Sequence, residues 1–287
     1  SMGIAREFAA TMFLMAYGAG FVVNISMMQL YRGLVGGISS ETALSFALRL
    51  MVINGAAAIA FFIVGARRYG RYAFWAEADP AALRPAGDVS YVTFLTPLVP
   101  LALYAGLGWR ASSAFLGGAL FALAAVRPRA PARLVARCAL RGLEDAAPSM
   151  LLMVGIGMLL KAASLPAVRE ALEVLLAQFR FSGPVSYVVF FTLASPLVLY
   201  RGPMNPLGAG AGVYAAFYAL RLLPDPALFA ALLCLAQVQA VTEPTNTHNV
   251  WVAGYLGVGV STIARRTLPW MIAVALAGLV LAAVRYL

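Results

Sequence analysis

The chain has 287 residues, 62% hydrophobic and only 11% charged, with a formal net charge of +10. A soluble domain carries about 25% charged residues, so this composition, with a mean hydropathy of +0.86, describes an integral membrane protein and leaves no polar stretch long enough for a soluble domain. The basic excess does not mark a nucleic-acid binder: the arginines sit at the ends of apolar runs, where positive charge orients membrane spans, so the lipid bilayer replaces nucleic acid as the expected partner.

Ser1-Met2 reads as a tag-cleavage scar, and the first apolar run carries no signal-peptide cleavage pattern. That run, residues 8–30, is interrupted by Gly18, Gly20, Asn24, Ser26 and Gln29. A span over 44–66 follows and is closed by Arg67, Arg68 and Arg71. Residues 72–88 form a polar loop. Spans are expected at 89–107 and 111–126, with Gly117 and Gly118 making close helix contacts. A basic loop with Arg127, Arg129, Arg133, Arg137 and Arg141 leads to a span at 146–160, where Glu144 and Asp145 are placed to cap the helix N-terminus. Residues 166–180 are amphipathic at helical spacing and read as an interfacial helix. Then come a hairpin over 185–223, a broken helix over 227–257 and a last span over 264–287. Cys138 and Cys234 lie in or beside apolar runs and give no disulfide framework.

Charge supplies an orientation. The two densest basic clusters, 67–71 and 127–141, are separated by two spans, so both can be cytoplasmic. The segments 41–69 and 260–286 echo each other in length and in a terminal Arg-Tyr, and each follows a polar-broken run. By the charge count they run in opposite directions, which is the pattern of inverted repeats with discontinuous helices. The expected fold is therefore an all-α integral membrane protein: a polytopic helical bundle with inverted repeats, a re-entrant hairpin and discontinuous helices. Residues 1–71 form the end of a first repeat, 72–88 a cytoplasmic loop and 89–287 a second repeat. The first repeat lacks a hairpin, so further spans are expected to complete it.

The stretch 195–212 cannot be ordinary helix. Pro196, Pro203 and Pro206 remove backbone donors, and Gly202, Gly208, Gly210 and Gly212 favour other conformations. Irregular backbone at membrane depth survives only when buried in protein or lining a wet cavity. A charge there is costly and therefore a functional candidate. The expected tip carries Arg201, Gly202, Asn205 and Gly208 into a polar site. The alternative is a plain extramembrane loop with Arg201 as an interfacial anchor.

A second break falls at 241–249. Pro244 interrupts the helical ladder, Thr242, Thr245, Asn246 and Thr247 offer neutral oxygens, and Glu243 and His248 are the titratable groups. Neutral oxygens beside unwound backbone suit sodium, with Thr245 and Asn246 as the expected ligands. Glu243 with His248 suits a proton instead, and a short external turn is the remaining alternative. No nucleophile–base pair or metal cluster suggests an enzyme, and no cofactor other than Na+ or H+ as coupling ion is implied.

Three segments, 142–160, 199–212 with its Leu-Tyr-Arg-Gly-Pro-Met-Asn-Pro-Leu-Gly tip, and 243–270 with Glu-Pro-Thr-Asn-Thr-His-Asn, resemble the gluconate/citrate-type permeases of the ion transporter superfamily. The resemblance covers roughly the C-terminal two thirds. It implies secondary active transport of a small organic anion, driven by sodium or protons, by a homodimer in a plasma (inner) membrane of bacterial type. On that basis Arg201, Gly202, Asn205, Gly208, Thr245 and Asn246 are expected to bind substrate, with Asn24 and Ser26 from the other repeat, and Glu243, Thr242, Thr247 and His248 to couple the ion. A member of the family has two hairpins and one is visible here. An ion channel, or an incomplete transporter subunit whose missing spans come from another chain, are therefore the alternative functions.

Overall fold

The computed structural model describes residues 5–69, 91–126, 131–163, 165–176 and 180–287, and among them every regular element is helical. The expected polar loop at 72–88, and Arg127 and Arg129, lie outside the described residues. Two compact units form, Ser1–Trp75 with Leu152–Leu287, and Ala76–Leu151. Four stretches, Ser40–Arg67, Pro184–Arg201, Asp225–Leu256 and Val260–Tyr286, are long and apolar enough to cross a membrane. This is the signature of a membrane protein.

In the first unit the interrupted run becomes two helices, α1 (Arg6–Phe21) and α2 (Ile25–Val35), followed by α3 (Ser40–Tyr69). Asn24 stops the run from continuing: its extended backbone and its side chain, which accepts from Met27 N at 3.1 Å, start α2 afresh.

In the second unit the residues expected to form one span over 89–107 split at Thr96–Pro97 into a 3₁₀ turn, Tyr91–Leu95, and α4 (Leu98–Leu107). Pro97 has no N–H for the ladder and restricts the residue before it, so the helix restarts there. α5 (Ala111–Val126) runs as expected and packs on α4 through Gly117, which faces Leu103, and Gly118, which faces Pro100. The basic segment is not a loop from Pro131 onward: α6 (Pro131–Ala163) is one helix. Arg133, Arg137 and Arg141 recur every fourth residue, the spacing of one helix face. Glu144 and Asp145 consequently lie inside α6 and not at its N-terminus, which corrects their expected place.

The first unit continues with α7 (Pro166–Leu176), α8 (Pro184–Ala194), a 3₁₀ segment (Ser195–Arg201), α9 (Gly210–Ala219), α10 (Asp225–Thr242), α11 (Thr247–Leu256) and α12 (Val260–Tyr286). α10 is the central pillar, with every residue from Ala227 to Thr242 buried. A helix apolar all round belongs in the interior. It touches α12, α1, α2, α3, α9 and the Ser195–Arg201 segment.

The contacts are reciprocal. α1 packs on α3 as α10 packs on α12; α1 touches α12 as α10 touches α3; α1 touches α11 as α10 touches α2. Where α1 meets α10, a Cβ on Gly18 would collide with Val241. Gly18 lies just before the first break and Val241 just before the second, so the two broken helices meet beside their breaks. Large apolar side chains on the outer faces, such as Val52, Ile59 and Val284, are exposed, as in a helix that meets lipid.

Candidate functional site

The chain doubles back between α8 and α9. Leu197 O accepts from Met204 N at 3.3 Å, and Arg201 O accepts from Ala209 N at 3.2 Å. Near the open end the two arms pack through Phe190, Phe191 and Phe217, with ring centroids 6.1 Å apart between Phe191 and Phe217. Gly208 lets the returning strand lie on the Arg201 backbone, where a Cβ would strike the Arg201 carbonyl. Gly202 sits equally close to the carbonyl of Leu197. Tyr200 and Arg201 both take left-handed backbone, with φ of 52° and 57°. Such conformations cost roughly 1–3 kcal/mol each for a residue with a side chain and persist only where surroundings enforce them. Here the turn points Arg201 out of the hairpin and toward the second break.

Arg201 Nη2 donates to Asn246 Oδ1 at 3.3 Å, joining the tip to the break across 45 residues of sequence. The same Oδ1 accepts from Gln239 Nε2 at 2.7 Å, and Asn246 Nδ2 donates back to the Gln239 carbonyl at 2.8 Å. Arg201 Nε and Nη1 are buried and have no partner among the described residues. Glu243, wholly buried, accepts on Oε1 from Thr245 N at 3.1 Å and from Thr245 Oγ1 at 2.5 Å, while Oε2 has no partner among the described residues. Arg201 lies within coulombic reach of Glu243 and Tyr31. The site therefore combines a half-buried guanidinium and a buried carboxyl group on two different elements.

His248 turns away from the carboxylate. Its Nε2 lies 2.6 Å from Ala240 O, so that nitrogen carries the proton and donates, and its ring packs on Tyr17 of α1 at 4.6 Å. Asn249 ties the break together by donating to Val241 O at 3.1 Å and Glu243 O at 2.8 Å. Asn246 begins α11 without capping it through its side chain, because that side chain is occupied by Arg201 and Gln239.

Of the residues expected from sequence, Arg201, Asn246, Glu243 and Thr245 form one connected cluster. Asn205 is fully buried but serves the hairpin itself: Nδ2 donates to Val198 O at 2.7 Å and Oδ1 accepts from Leu207 N at 2.9 Å. Its amide braces the tip. Thr242 bonds back to Val238 O at 2.5 Å, and Thr247 is exposed in the first turn of α11. Asn24 is exposed and spent on capping α2, and no hydrogen bond joins it to the cluster among the described residues. Ser26 lies in the first turn of α2.

Gln239 and Asn249 are central and were not singled out by sequence. Gln237, fully buried with neither amide atom partnered among the described residues, was missed in the same way. For Gln237 and Gln239 the available signal was polar amides inside α10, a helix otherwise apolar. No protein-family model, curated protein or solved structure matches this chain, so the tip and the break carry the functional inference alone.

Proposed function

We propose that the chain is a secondary active transporter of a small organic anion, a carboxylate of the gluconate or citrate type, coupled to sodium or protons in a plasma (inner) membrane. The observation that carries this is the Arg201 guanidinium, which is held at the tip of a Pro/Gly-broken hairpin, tied to the break through Asn246, and retains two buried nitrogens without partners among the described residues. A guanidinium grips a carboxylate with short, charge-assisted hydrogen bonds. α11 adds to this, since its N-terminus opens beside Asn246 without a side-chain cap and favours negative charge. In this reading the hairpin is re-entrant, and irregular backbone between broken helices forms the substrate site near the bilayer midplane.

The reciprocal contacts of α1–α2–α3 with α10–α11–α12 support an inverted repeat. Two crossed broken helices give such a transporter its two alternating faces. A second reading, a transporter subunit completed by another chain, is favoured by one asymmetry. α8 packs on α12, while among the described residues no such hairpin packs on α3, whose outer face exposes Val52 and Ile59. A homodimer is the expected assembly otherwise.

Uptake of labelled gluconate and citrate into proteoliposomes tests the proposal, with sodium and pH gradients imposed separately. Gradient-driven accumulation in the wild type and its loss in Arg201→Ala are expected. Downhill conduction that no gradient can make concentrative would identify a channel instead.

A further inference from the structure

α3 and α12 pack on each other, and the early turns of α3 meet the last turn of α12. At that end of the two helices, donors converge on one point. Arg49 Nη1 donates to Ser45 Oγ at 2.5 Å and to the Ser45 carbonyl at 3.1 Å. Arg285 Nη2 donates to the same Oγ at 3.5 Å, across 240 residues of sequence. Two guanidiniums therefore stand side by side on a single hydroxyl, although like charges so close repel. Among the described residues neither forms an ion pair, and Glu41, one turn nearer the start of α3, joins neither of them. A hydroxyl carries two lone pairs and one proton. With both lone pairs taken by arginines, the Ser45 O–H is left to donate outward. The cluster offers donors alone.

The corresponding arginine on α12 shows what is missing. Aligned on their terminal Arg-Tyr pairs, the segments 41–69 and 260–286 place Arg49 opposite Arg266. Arg266 is paired with Glu7 of α1. α10 stands to α3 as α1 stands to α12, but the acid in its first turn, Asp225, is taken by Arg221. Arg49 meets a second cation where Arg266 meets a carboxylate, so its counter-charge has to come from outside the chain. Position decides what supplies it. Ser45, Leu48, Arg49 and Val52 recur at the spacing of one helix face, and Leu48, Arg49 and Val52 are exposed. The arginines thus head an exposed apolar stripe on a helix long and apolar enough to cross a membrane. A soluble anion matches only the head of that surface. An amphiphile with a negative head and an apolar tail matches both parts.

We propose that Ser45, Arg49 and Arg285 hold the phosphate of an anionic glycerophospholipid whose acyl chain lies along Leu48 and Val52. The two guanidiniums grip phosphate oxygens through charge-assisted hydrogen bonds, and the Ser45 hydroxyl adds a further donor. A net negative headgroup is selected, because a zwitterionic one brings its own cation to a site that already holds two. The bound lipid ties the ends of α3 and α12 together by giving two repelling charges a shared counter-ion. This site is independent of the transport proposal. At Val52 it competes with the reading in which another chain covers the face.

The test uses the purified chain in detergent, titrated with phosphatidylglycerol or with phosphatidylcholine of the same acyl chains. Bound lipid is counted by native mass spectrometry, and stability is followed by thermal unfolding. Phosphatidylglycerol is expected to be retained in preference and to raise Tm. Arg49→Ala and Arg285→Ala are each expected to weaken its binding about fivefold, the strength of one arginine at an anionic membrane surface. Arg67→Ala, at the far end of α3, is expected to keep the preference, which separates a site from the general attraction of a basic chain for anionic lipid. A wild type that holds the two lipids equally overturns the site, and is the result expected if another chain covers the face instead. So does a folded double variant, Arg49→Ala with Arg285→Ala, that keeps the preference, or an Arg67→Ala protein that loses as much as either single variant. Inorganic phosphate or glycerol phosphate that raises Tm as far as phosphatidylglycerol does would assign a soluble anion and contradict the lipid.

Discussion

At the scale of single residues, Asn246 is a latch between two charges. Its Oδ1 holds the acceptor position on Arg201 that a substrate carboxylate would take, so substrate must displace it or share the guanidinium with it. Asn246→Asp would replace a neutral acceptor with a permanent carboxylate. The pair formed with Arg201 would close the tip on the break, and anion affinity is expected to fall tenfold or more while Tm holds or rises. Binding isotherms and a melting curve on the same sample check both parts, and an unchanged affinity would remove Asn246 from the site. Arg201→Lys keeps the charge and loses the planar fork. If a charged hydrogen bond is worth about 1.5–3 kcal/mol, that exchange is expected to weaken gluconate or citrate binding by about tenfold or more, measurable by competition against labelled substrate.

At the scale of elements, the hairpin tip is a small structure with its own internal bracing. Asn205 spans it from Val198 O to Leu207 N, and both backbone groups lose their partner in Asn205→Ala. The cost of an unmade buried hydrogen bond is about 1–3 kcal/mol, expected as a lower Tm and faster hydrogen exchange at the tip amides. Gly208→Ala acts differently, because the new Cβ meets the backbone of Arg201. Overpacking of this kind costs about 1–3 kcal/mol, and here the shift falls on the residue proposed to grip the anion. Anion affinity is expected to drop more than in Asn205→Ala for a smaller loss of Tm. The hairpin tip and both helix breaks were legible in the sequence because proline, glycine and asparagine punctuate apolar runs: Pro203, Pro206 and Gly208 at the tip, Pro244 and Asn246 in α10–α11, Asn24 in α1–α2. Which side chain would serve the ligand and which the backbone was not legible. Asn205 and Asn246 are both buried asparagines in broken segments, and only the folded chain shows that one is enclosed by its own turn while the other meets Arg201.

At the scale of the molecule, helices α1–α3 and α10–α12 pair reciprocally, with α10 buried from Ala227 to Thr242, and this arrangement brings residue 201 to residue 246. The sequence echo between 41–69 and 260–286 pointed to corresponding helices, and α3 and α12 occupy those segments. The basic segment was misread as a loop because its charge was weighed and its four-residue spacing was not. Its helical form leaves the expected cytoplasmic placement open to a direct test with the native thiols. Cys138 is exposed on α6 and Cys234 is buried in α10. A membrane-impermeant maleimide is expected to leave intact cells unlabelled and to label Cys138 alone after the membrane is opened. Labelling of Cys138 from outside intact cells would reverse the orientation. The central claim, that Arg201 at the hairpin tip binds a carboxylate, is tested most directly by calorimetric titration of gluconate and citrate into purified wild type and Arg201→Ala in saturating sodium. Saturable binding to the wild type and none to a folded Arg201→Ala protein is the predicted result. Equal affinity in the two proteins would contradict the claim.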